Sequence, residues 1–113
     1  MTDSFAPDDP EAAGRAVALL KSLSHVGRLR ILCSLLDREM TVGELSAALH
    51  EPQASVSQHL IRLRAEGVVR STRHGKHVTN KLGRADIIPV IAALRAAFCA
   101  APCADPAAPE NPA

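Results

Sequence analysis

The chain has 113 residues, 47% of them hydrophobic, and a formal net charge of only +1; this suits one compact domain and excludes attraction to nucleic acid through overall charge alone. With no Trp, no Tyr and two Phe, the core must be built from Leu, Ile, Val and Ala, which favours packed helices over an aromatic-rich β-sandwich. No stretch approaches the ~18 apolar residues of a membrane span and no basic patch followed by an apolar run opens the sequence, so a cytoplasmic protein is expected.

Residues 1–8 and 102–113 are rich in Pro, Ala, Asp and Asn without an apolar period, so disordered tails are expected around a folded unit at 9–101. A first helix opens with Asp9 as cap and Pro10 at its first position, and carries Ala13, Val17 and Leu20 at helical spacing. The segment from His25 to Arg38 places Leu29, Leu32, Cys33 and Leu36 on one apolar stripe, which turns the Cys33 thiol inward or to a helix interface. Thr41 and Glu44 have the spacing of a capping box for a short helix bearing Val42, Leu45 and Leu49. Pro52 breaks the pattern. A further helix from Gln53 to Glu66 buries Val56, Leu60 and Leu63 and stops at Gly67. The period then changes to two in "VVRSTR" and "KHVTNKL", which flank His74 and Gly75 and predict a β-hairpin. The last helix starts at Asp86 as a cap, tolerates Pro89 in its first turn, runs through Val90, Ile91, Leu94 and Phe98, and ends near Pro102.

Two short helices joined by a tight turn and followed by a hairpin give the order of a winged helix-turn-helix, a mainly α (α+β) fold of about five helices and one wing. Charge is distributed to match. Residues 53–84 carry seven Lys or Arg against Glu66 alone, the local excess that a phosphate backbone attracts. The second helix of the pair presents Gln53, Ser55, Ser57, Gln58 and His59, all able to hydrogen-bond base edges or phosphates in a major groove. Arg62 and Arg64 lie one or two turns further on, where phosphates are in reach. Arg73, His74, Lys76 and His77 cluster at the hairpin tip, placed for the backbone or the adjacent minor groove.

The blocks "LKSLSHVGRLRILCSLL", "TVGELSAAL", "QASVSQHLIRLRAEGVV" and "RHGKHV" resemble the ArsR family of small winged-helix transcriptional repressors over residues 15–99. The form "SHxGRLxILC" is nearest to its BigR and SqrR sulfide- or persulfide-responsive subgroup. The resemblance implies a homodimer formed by the first and last helices, which blocks transcription until an inducer alters it. Two reading helices about 34 Å apart would then meet an imperfect inverted repeat in double-stranded operator DNA. The chain departs from many relatives in reading "TNKL" where they have a Tyr near the end of the second wing strand, and His25, Val26 and Gly27 where they have a Pro.

The inducer is the remaining question. Metal-sensing relatives carry Cys-x-Cys in the first helix of the helix-turn-helix, absent from "ELSAAL", or an Asp and His at the start of the last helix with further ligands beyond, of which only Asp86 is present. The five histidines have no spacing that closes a tetrahedral shell, so neither a metal nor a cofactor is expected. In a reducing compartment three cysteines do not make a disulfide framework. In the subgroup resembled, a cysteine of the second helix and one of the last helix form the sensing pair, and those positions align with Cys33 and Cys99. Arg30 or Arg95 are candidates for lowering a thiol pKa. A persulfide-responsive dithiol is the leading expectation; an As(III) or Sb(III) sensor using Cys33, Cys99 and Cys103 is the alternative. An enzyme is not expected, since Cys-x-x-Cys and a Gly-rich phosphate loop are both missing.

Overall fold

The computed structural model describes residues 9–99; the expected tails lie outside them. Helix α1 spans Pro10–Leu23, α2 Val26–Leu35, α3 Val42–Leu49 and α4 Gln53–Ala65. Strands β1 (Val69–His74) and β2 (His77–Leu82) follow, then α5 (Ile87–Leu94), which continues into a π-helical turn at Arg95–Cys99. This is the expected winged helix-turn-helix. No helix of the described residues is long and apolar enough to cross a membrane.

Local chemistry sets the boundaries. The Asp9 carboxylate accepts from the backbone N–H groups of Glu11 and Ala12 at 3.0 and 3.2 Å and starts α1. Thr41 and Glu44 form the complete capping box of α3, each satisfying a backbone donor that the first turn leaves without a partner. Helix α4 ends in a Schellman arrangement: Val68 N donates to Leu63 O at 2.9 Å and Gly67 N to Arg64 O at 3.0 Å. Gly67 supplies the left-handed φ of 77° that this stop requires. In the wing, Gly75 at φ 62° takes the first position of a two-residue turn, and Val69 through His74 pair antiparallel with Leu82 through His77.

Three expectations are corrected. Asp86 does not cap α5, because its carboxylate is held by Arg84 in a two-pronged pair at 3.0 and 2.7 Å. The second helix begins after His25, whose Nδ1 accepts from Gly27 N at 3.0 Å, and its α-helical part ends at Leu35 instead of Arg38. In α1 the stripe with Val17 and Leu20 is exposed, at 48% and 56%, while Ala12 and Leu23 are the buried apolar residues.

The core is aliphatic. Ile31, Leu32 and Leu35 of α2 meet Leu45 and Leu49 of α3, Val56, Leu60 and Leu63 of α4, and Ile87 and Ile91 of α5. Each of α3, α4 and α5 therefore leans on α2, which fixes α4 and the last helix relative to one another. The wing is tied in by Asn80, which is fully buried. Its backbone bridges Met40 in both directions, its Nδ2 donates to Met40 O at 3.0 Å, and its Oδ1 accepts from Ser71 Oγ at 2.7 Å. Arg64 Nη1 extends the chain of contacts from α4 by donating to Ser71 Oγ at 3.3 Å. A buried polar side chain of this kind is tolerated because its partners are supplied.

Candidate nucleic-acid interface and thiol site

With Val56, Leu60 and Leu63 turned to the core, helical geometry puts Ala54, Gln58 and Ile61 on the opposite, outward face of α4. Gln53 and Gln58 are exposed, Ser55 and Ser57 half-buried on the flanks, and Arg62 exposed further along. Sequence reasoning misses Ile61, which is 59% exposed beside Gln58. Centring a helical wheel on the three buried residues finds it, and an exposed apolar side chain on this face matches the methyl group that thymine presents in a major groove. Arg73, His74, Lys76 and His77 are all exposed at the wing tip.

His59 sits differently. Its ring packs against His25, with centroids 4.7 Å apart, and a Cβ added at Gly27 would lie 2.7 Å from His59 Nε2. A glycine at the start of α2 thus admits the ring, and His59 joins the reading helix to α2. Burial, followed by the neighbouring His25 and Arg28 charges, holds its pKa below the usual imidazole value of 6.5.

Cys33 lies mid-way along α2, half-buried and packed against the edge of the core. Arg30 points away from it, donating to Leu49 O at 2.9 Å and pairing with Glu51 at 3.4 Å. Arg95 approaches it instead. From the first residue of the π-helical turn, Nη1 donates to Cys33 O at 3.3 Å and to Asp37 Oδ2 at 2.9 Å. The hydrogen bond from Arg95 holds the Asp37 carboxyl below the usual carboxylate range. Cys99 closes that same turn; its side chain and all of Cys103 lie outside the described residues. Among the described residues, no three His, Cys, Asp or Glu side chains group closely enough to hold a metal ion.

The exposed apolar surface also has a pattern. Besides Val17 and Leu20 on α1, Ile88 on α5 is 46% exposed and Phe98 on the π-helical turn 81%. Both ends of the described chain therefore carry large apolar side chains in water, more than isolated surface residues require.

The sequence matches the profile described as bacterial regulatory protein, arsR family, over residues 25–71. It is 39% identical over 89 residues to the transcriptional activator HlyU of Vibrio cholerae, an overlap of 79% of this chain and 82% of that protein. A solved structure described as reduced HlyU from the same organism superposes with a TM-score of 0.75 at 38% identity, over 80% of this chain and 95% of that one. The crystal structure of the transcriptional repressor BigR from Xylella fastidiosa does so with 0.78 at 35% identity, over 87% and 97%. Winged-helix architecture and these likenesses agree: the chain belongs to the arsR family of DNA-binding transcriptional regulators, in its BigR-like group.

Proposed function

We propose that the protein is a dithiol-based repressor that binds an inverted-repeat operator as a homodimer and releases it when Cys33 and Cys99 react with persulfide. Gln53, Ser55, Ser57 and Gln58 meet base edges or nearby phosphates, His59 steadies α4 and can reach the backbone from its flank, and Arg62 takes a phosphate. Arg73, His74, Lys76 and His77 grip the duplex beside the groove. The apolar faces of α1 and α5 support pairing with a second copy, since burying Val17, Leu20, Ile88 and Phe98 removes them from water.

The observation that carries the thiol reading is the Arg95 strap. From four residues before Cys99, its guanidinium donates to the backbone carbonyl of Cys33, which supports a reading in which the last turn and the Cys33 turn of α2 can be drawn together. In the reaction, the first thiolate attacks the outer sulfur of an organic persulfide, the organic thiol leaves, and a cysteine persulfide forms. Attack by the second thiolate on the protein-bound sulfur of that persulfide gives the Cys33–Cys99 disulfide and hydrogen sulfide. Where the cysteine persulfide first takes a second sulfur from another organic persulfide, whose thiol leaves, attack by the second thiolate on the added sulfur next to the terminal SH expels hydrogen sulfide and keeps one extra sulfur in the link. A direct bond needs Cα atoms within about 7 Å, and each added sulfur spans a wider gap. Either link pulls α5 against α2, and α2 carries α4.

The test is an operator titration with reduced and persulfide-treated protein, for the native chain and for Cys33→Ser and Cys99→Ser. The native protein should lose affinity on treatment and both variants should keep it; release by both variants would refute the assignment. Intact mass separates the As(III) or Sb(III) alternative: a two-thiol link or gains of whole sulfur atoms follow from persulfide chemistry, a retained metalloid on Cys33, Cys99 and Cys103 from the other.

A further inference from the structure

Beside α4 runs an open trough whose walls come from the end of α1, the start of α2 and the second half of α4. Lys21, Arg28 and Arg62 line it, and Gln58 stands at its end nearest the outward face of the reading helix. None of these three cations makes an ion pair among the described residues, although Arg28 is half-buried. Arg84 also borders the trough but is committed to Asp86. The one carboxylate in the wall, Glu66, accepts a hydrogen bond from Ser22 Oγ across the α1–α4 contact. Three cations against this single carboxylate leave the trough net positive, and a concave surface of one sign attracts an anion.

We propose that this trough is a phosphate clamp: Lys21 and Arg28, together with Arg62, hold a phosphodiester of the DNA strand flanking the base pairs that α4 reads. The proposal rests on α4 being the reading helix and adds two residues, at the α1–α2 junction, that belong to neither the helix-turn-helix nor the wing. Their contacts carry no sequence information. They set how far α4 enters the groove and from which side, and they make α1 part of the DNA-binding surface.

The test is the salt dependence of binding, measured with an operator duplex selected from a random pool and with an unrelated duplex of equal length. Each phosphate contact contributes about 0.9 to the slope of log affinity against log salt, so its loss removes about 3.5-fold of the weakening between 50 and 200 mM salt. Lys21→Gln and Arg28→Gln should each lower the slope measurably, by at most about 0.9 per bound protomer, and weaken both duplexes equally, whereas Arg28→Lys should keep the slope. Unchanged slope and affinity in a folded Arg28→Gln variant would overturn the proposal; if that variant does not fold, an unchanged slope in Lys21→Gln does so. Inorganic phosphate provides the control for a free anion. Saturable phosphate binding to the DNA-free protein that Arg28→Gln abolishes, with the DNA slope untouched, would assign the trough to small anions and also overturn the clamp. Gln58→Ala distinguishes failure of the underlying reading: if α4 reads bases, the ratio of operator to unrelated affinity collapses in this variant while the slope stays.

Discussion

Replacing Asn80 tests whether the wing is held by one buried amide. Asn80→Ala removes two side-chain hydrogen bonds, to Met40 O at 3.0 Å and from Ser71 Oγ at 2.7 Å, at a site with no solvent exposure. Met40 O retains the Asn80 backbone donor at 2.8 Å and Ser71 still receives Arg64, so the hydrogen-bond loss is about 1–2 kcal/mol. The void left by the amide adds about 1 kcal/mol, for a total of about 2–3 kcal/mol. Asn80→Asp preserves shape but sets a carboxylate oxygen against the Met40 carbonyl. It should be worse than Ala at neutral pH and recover as pH falls, because burial raises the new carboxyl's pKa and its protonated form can donate. Urea unfolding of the reduced protein at fixed concentration measures both, concentration being held so that any self-association contributes equally to each variant. Operator affinity should fall in parallel, since Arg73 and Lys76 ride on the wing. An Ala variant within about 0.5 kcal/mol of the native protein, or an Asp variant no worse than Ala at neutral pH, would refute the anchor.

Other outcomes follow from single contacts. Gly83→Ala would put a Cβ 2.8 Å from Gly67 O and 3.1 Å from the Val69 carbonyl carbon; both are backbone where α4 meets the wing, so a loss of about 1–3 kcal/mol is expected by thermal unfolding. Because His59 binds its proton less readily when folded than unfolded, the unfolded chain holds more protons just below pH 6.5, and the His59 contribution to stability is present above that value and lost as pH falls through it. His59→Gln should flatten this part of the stability profile; an unchanged profile would remove His59 as its source. Arg95→Met should alter stability little, as exposed ion pairs do, yet slow the persulfide-driven link between Cys33 and Cys99, read by the rate of loss of free thiol.

The helix stops and starts are legible in the sequence because caps are local: Asp9, the Thr41 and Glu44 pair and Gly67 each act within a few residues of the backbone groups they satisfy. Asp86 misleads for the same reason in reverse, since a carboxylate two residues from Arg84 has a stronger partner than a helix terminus. Periodicity places the buried faces of α2 and α4 but not that of α1, where the exposed Val17 and Leu20 form a stripe as regular as the buried one. The burial of Asn80 and the reach of Arg95 to Cys33, 62 residues apart in sequence, depend on tertiary packing, to which no local pattern points. In the sequence His59 is one more polar residue on the reading helix; its inward turn becomes visible only with Gly27 facing it across the α2–α4 contact.

Peptide mapping of persulfide-treated protein tests the central claim most directly. Digestion without reductant should yield one linked pair joining the peptide that contains Cys33 to the peptide that contains Cys99, with or without added sulfur, and its abundance should track loss of operator binding. Modified but unlinked Cys33 in protein that has already released DNA, or a link confined to Cys99 and Cys103, would contradict the account.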